Sequence, residues 1–162
     1  MRRIGREAAA LVAVLVVASV AAEFAHLFRE ALFAVVEFLY DEKNSVEGIK
    51  AANRVVPFVT IALGILLARV LNNRAQKRHA GRVGLSVVAG TARGEEPQVS
   101  LPGTLMRSLA TLVACMPGTS LGRESAILEA GGAIGATIGR MVPGGAPAVT
   151  SAGVAATFAA SV

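Results

Sequence analysis

The chain alternates long apolar runs with short charged ones, and the runs carry helical periodicity. Residues 8–22, AAALVAVLVVASVAA, are wholly small or apolar. The pattern continues through Phe24, Leu27, Phe28, Ala31, Leu32, Val35, Val36 and Leu39, in the three- and four-residue steps of a helix. Glu23, His26, Arg29, Glu30 and Glu37 ride on the same segment. One helix over about 8–40 is therefore predicted. At ~1.5 Å per residue it exceeds a hydrocarbon core of ~30 Å, so it must tilt or end in the interface. The competing reading of its first part is a cleaved leader: a positive start, an apolar run, then Val20-Ala21-Ala22. A second helix is predicted over 55–71, VVPFVTIALGILLARVL, with Pro57 in its opening turn. Shorter helices follow over 83–92, 104–116, 124–142 and 148–162. The connection 41–54 is polar and mixed in charge, and 93–103 is a loop with two prolines.

Composition turns this helical pattern into a membrane reading. The chain is 54% hydrophobic with mean hydropathy +0.60, and only 17% of it is charged. A soluble domain is nearer a quarter charged. The expected class is all-α, multi-pass and transmembrane, with broken or re-entrant segments, forming a single membrane domain over 1–162. The net charge of +5 is read as loop charge. Nucleic-acid binding would need a basic face interleaved with aromatics, and none is present. Arg69, Arg74, Lys77, Arg78 and Arg82 come with no acid between Glu47 and Glu95, and Arg2, Arg3 and Arg6 open the chain. The positive-inside bias then places the N-terminus in the cytoplasm, loop 41–54 outside and 72–82 back inside. The expected location is the plasma (inner) membrane.

Chemistry-bearing residues are sparse. Cys115 stands alone in an apolar run, which excludes an internal disulfide and a cysteine-based zinc site. His26 and Glu30, four apart, are read as a polar stripe rather than a metal or proton site. No triad, metal cluster or phosphate loop appears, so no enzyme, cofactor or metal is expected. The richest stretch is Ser120–Arg140, SLGRESAILEAGGAIGATIGR. A turn, Gly122-Arg123-Glu124, opens an apolar, glycine-rich helix. A helix start presents unpaired N–H groups and a positive dipole end, where anions or a carboxylate are favoured. Acids are also favoured there for structural reasons alone, but an ionisable group inside a membrane points to function. Gly131, Gly135 and Gly139 form a GxxxGxxxG face, read as helix packing. Glu129, five residues after Glu124, either pairs with an arginine or lines a polar cavity.

Gly122-Arg123-Glu124 and the small-residue helix after it resemble the Gly-Arg-Glu-Gly-Pro motif of the voltage-gated chloride channel (CLC) family. The likeness extends through Gly131-Gly132-Ala133-Ile134-Gly135 to Gly139-Arg140, and Ala152–Ala160 looks like the helix that follows in that family. Ser125 and Ala126 stand in place of the motif's Gly-Pro. The resemblance implies a partial CLC-type fold and transport of chloride or another small anion across the bilayer, by a channel or a proton-coupled antiporter. Glu124 would be the gating carboxylate. Gly122, Arg123, Ser125, Val83, Gly84 and Leu85 would contribute the anion contacts. In the family the 83–85 position is opened by Gly-Ser-Gly-Ile-Pro. Val83 stands where its serine would be, so backbone N–H groups would have to serve. The family's second-half anion contacts have no counterpart here, so the expected partner is a missing second half or a second copy in a homodimer. The alternative is a non-transporting membrane remnant or helix-packing partner.

Overall fold

The computed structural model describes residues 2–40, 55–79, 82–95, 99–115, 123–142 and 146–161. Loop 41–54, the glycine-rich break 117–121, Met116 and the predicted anion contact Gly122 lie outside the described residues. The fold is all-α. Among the described residues, six helices follow in order: α1 Arg2–Tyr40, α2 Val55–Arg78, α3 Leu85–Ala92, α4 Leu101–Cys115, α5 Arg123–Gly139 and α6 Ala146–Ser161.

Helix α5 sits at the centre and packs against α1, α3, α4 and α6, while α2 lies outside against α4. Small residues let it do so. A Cβ on Gly131 would strike Thr157 and the Gly153 carbonyl, and one on Gly135 would lie 2.8 Å from the Thr150 Cα. Glycine costs a helix about 1 kcal/mol against alanine. Here the cost is offset by backbone-to-backbone approach, which drives association where lipid removes the hydrophobic term.

Among the described residues, helices α1 and α2 are long and apolar enough to cross a membrane, their most apolar stretches having mean hydropathies of 2.3 and 2.0. On α1 the inward face is Ala13, Val17, Ala21, Ala25 and Phe28, a near-perfect four-residue repeat. Leu11, Leu15, Val16 and Leu27 on its other faces stay exposed. A helix apolar all round, with one side packed, is suited to lipid on the rest. Its last residue, Tyr40, reaches Thr60 on α2, hydroxyl to hydroxyl at 3.2 Å.

Several boundaries differ from the pattern reading for local reasons. Helix α2 runs on to Arg78, because Lys77 and Arg78 in its last turn complement the negative end of its dipole. Helix α4 starts at Leu101: Ser100 Oγ accepts the Gly103 N–H at 3.3 Å, an N-cap, and Pro102 fits the first turn. The Ser100 hydroxyl also meets His79 Nδ1 at 2.8 Å, tying the end of α2 to the start of α4. Helix α3 closes with a Schellman motif. Gly94, at φ +82°, donates to Thr91 O, and Glu95 N–H donates to Gly90 O. Just beyond it the exposed Arg93 side chain donates to Glu95 at 2.8 Å, which holds the Glu95 carboxyl below the usual carboxylate range.

Candidate functional site

The first three residues of α5, Arg123, Glu124 and Ser125, are exposed, whereas Ala126, Ile127 and the turns that follow are buried. Of the six described helices, α5 alone carries an acid in its first turn, and that acid is Glu124. The carboxylate therefore stands at the electropositive tip of the most enclosed helix, outside that helix's own packing.

The sequence reading left the partner of Glu129 open, and the structure resolves it. Glu129 is 5% exposed. Its Oε1 accepts the Gly84 N–H at 2.7 Å, and Arg107 Nε lies 3.5 Å from the same oxygen. Five residues at 3.6 per turn turn the helix by about 140° and advance it by about 7.5 Å. Glu124 and Glu129 thus leave α5 on different sides. Glu129 faces the start of α3 and the middle of α4.

Gly84 is the residue just before α3, at φ +123°. A Cβ there would have 3.8 Å to its nearest neighbours, Arg107 Nη1 and Ser86 Oγ, so the backbone angle rather than space calls for glycine. That angle aims the N–H at Glu129. Of the other residues in the 83–85 turn, Val83 is buried and lies close to Gly103 of α4, and Leu85 is 43% exposed. The structure thus joins Gly84 to Glu129, not to Glu124. Arg107 is the sole charged residue of the apolar helix α4. Its pairing spans from α4 to α5, and no local spacing signals it.

Arg107 also lines a cleft of about 400 Å³ between α2 and α4, together with Arg69, Asn72 and Thr111. Ser108, next along α4, donates to the Ala126 carbonyl of α5 at 3.2 Å. Among the described residues no group of three or more His, Cys, Asp or Glu side chains is placed to hold a metal ion.

The family model described as voltage gated chloride channel matches residues 64–161, from the middle of α2 to the end of α6. The chain belongs to the voltage gated chloride channel family. The match takes in both carboxylates of α5, Gly84 and Arg107. Members of this family are membrane-embedded chloride transport proteins rather than enzymes, which fits the two long apolar helices. Neither the curated proteins nor the solved structures contain a match.

Proposed function

We propose that this voltage gated chloride channel family chain carries part of a chloride-type anion pathway, with Glu124 as its gating carboxylate. The supporting observation is the placement of Glu124 in the first turn of α5 with its side chain exposed. An anion and an ionised carboxylate compete for the same positive helix end. While Glu124 is charged and at the tip, the anion is kept out; when it is neutral or displaced, the anion can take its place. Arg123 and Ser125 flank that point, and Gly122 precedes them in the sequence. The backbone of Val83, Gly84 and Leu85 offers a second helix start, although the Gly84 N–H is already committed to Glu129.

On this reading the chain is one membrane domain, with its N-terminus on the cytoplasmic side of the plasma membrane. It works with a second half or as a homodimer, as a channel or as a proton-coupled antiporter. Chloride efflux from vesicles containing the purified chain, alone and with a co-expressed second half, tests it. Wild-type chain should release chloride, and Glu124→Gln should change the rate severalfold. No chloride flux in either setting, from chain that is folded and inserted, would leave a non-transporting helix-packing protein as the better account.

A further inference from the structure

The gate reading does not use the cleft between α2 and α4, which is lined by two arginines. An ionisable residue within a membrane helix is costly, so it marks a site by default. Arg107 is paired with Glu129 at 3.5 Å. Arg69 is exposed on α2, and among the described residues no carboxylate is paired with it. Arg69, Arg107 and Glu129 together leave one positive charge in excess. The half-buried Asn72 adds an amide to the same wall. The cleft is also sorted by polarity along its length. His79, just past α2, meets Ser100 at 2.8 Å, and with the packing of α2 on α4 this makes the two helices run antiparallel. Asn72 stands seven residues before His79 and Arg107 seven after Ser100, about 10 Å from that tie. Ile65 and Ala114 stand fourteen residues from it on either strand of the pair, about 21 Å away. The polar groups thus lie at the end nearer the basic last turn of α2, Lys77 and Arg78, and the far end is walled by Ile65, Ala68 and Ala114.

We propose that this cleft holds the head of an anionic glycerophospholipid, with one acyl chain lying along its apolar end. Arg69 is the main partner of the phosphodiester, and the Asn72 amide donates to one of its oxygens. Arg107 adds the field of a guanidinium already shared with Glu129. The excess of one positive charge matches a phosphodiester, which carries one negative charge. A free phosphate would use the same donors and leave the apolar end empty. A zwitterionic lipid would bring a second cation to a place that already has one in excess. Basic pockets between membrane helices suit such headgroups, since the charge is met at the edge of the hydrocarbon. Only 6% of the most apolar window of α2 is buried, which leaves the flanks of that helix open to lipid. The site requires that the chain be embedded in a bilayer and is independent of whether Glu124 gates an ion path.

Native mass spectrometry of the purified full chain in detergent tests this, with titration of phosphatidylglycerol, of phosphatidylcholine with the same acyl chains, and of glycerophosphoglycerol, the same anionic head without chains. One phosphatidylglycerol per chain should be retained at least about tenfold more tightly than phosphatidylcholine, the scale of one charge-assisted hydrogen bond. A large excess of glycerophosphoglycerol should not displace it. Arg69→Gln should weaken phosphatidylglycerol about tenfold and leave phosphatidylcholine unchanged. Arg69 is exposed, so the unfolding midpoint of that variant should stay in place and show that the fold is intact. Arg74→Gln removes the same charge from an exposed position on α2 outside the cleft, and it should leave the affinity as it is. Equal retention of the two lipids, displacement by the chainless head, or equal losses in Arg69→Gln and Arg74→Gln overturns the proposal. The last of these would mean diffuse attraction to a basic helix end.

Discussion

Helices α2 and α5 are both apolar, and they solve opposite problems. Only 6% of the most apolar window of α2 is buried, and Phe58, Leu63 and Leu66 stand out from it. Helix α5 hides almost its whole length after the first turn. The outer helix carries large side chains on its open faces, which suits lipid, since lipid accepts any apolar shape. The inner helix uses glycine and alanine, because its neighbours are other backbones at close range. The difference shows that hydropathy places a helix in the membrane, while residue size decides whether it faces lipid or protein. It also shows where charge can be kept. On α2 the basic residues gather in the last turns, and on α5 one acid lies at the tip and the other is locked inside by Gly84 and Arg107.

The comparison can be broken most forcefully at Gly135. Gly135→Leu would place a side chain against the backbone at Val149 and Thr150, which cannot rotate away. Overpacking costs about 1–3 kcal/mol where side chains can give, and more where they cannot. The expected result is loss of cooperative unfolding in a denaturant titration. Helix α1 sharpens the contrast within one element. Ala21→Leu, on its fully buried stripe, should destabilise by about 1–3 kcal/mol, whereas Val20→Leu, one residue away and 46% exposed, should leave the unfolding midpoint unmoved. The smallest effect belongs to the lipid side of α2. Leu66→Ile should change stability by less than about 0.5 kcal/mol in the same titration. Equal responses at Gly135 and Leu66 would mean that α5 is not the packed centre.

Much of this arrangement could be read from the chain. The apolar runs marked six helices, the basic 69–82 segment stood out, and Gly122-Arg123-Glu124 before a glycine-rich helix pointed to the family. What stayed hidden was which side of each helix faces inward. On α1 the stripe Ala13, Val17, Ala21, Ala25 is surrounded by residues as apolar as itself, so hydrophobic periodicity carries no contrast. The start of α4 was misread because Ser100 and Pro102 look like loop residues until the Gly103 N–H is seen to bond the Ser100 hydroxyl. The Glu129 cluster was out of reach for a different reason. Its donor is 45 residues away along the chain, and its arginine lies on another helix. Only the packing of α3 and α4 onto α5 brings them together.

The account turns on one helix holding two carboxylates in opposite states, Glu124 open to approaching ions and Glu129 locked inside. Cysteine accessibility measures this most directly. With Cys115 changed to alanine, Glu124→Cys and Glu129→Cys would each be exposed, in vesicles, to a small charged thiol reagent. The account predicts rapid labelling at position 124, slowed by chloride, and almost none at position 129. Labelling at 129 as fast as at 124, or an inert position 124, would contradict it.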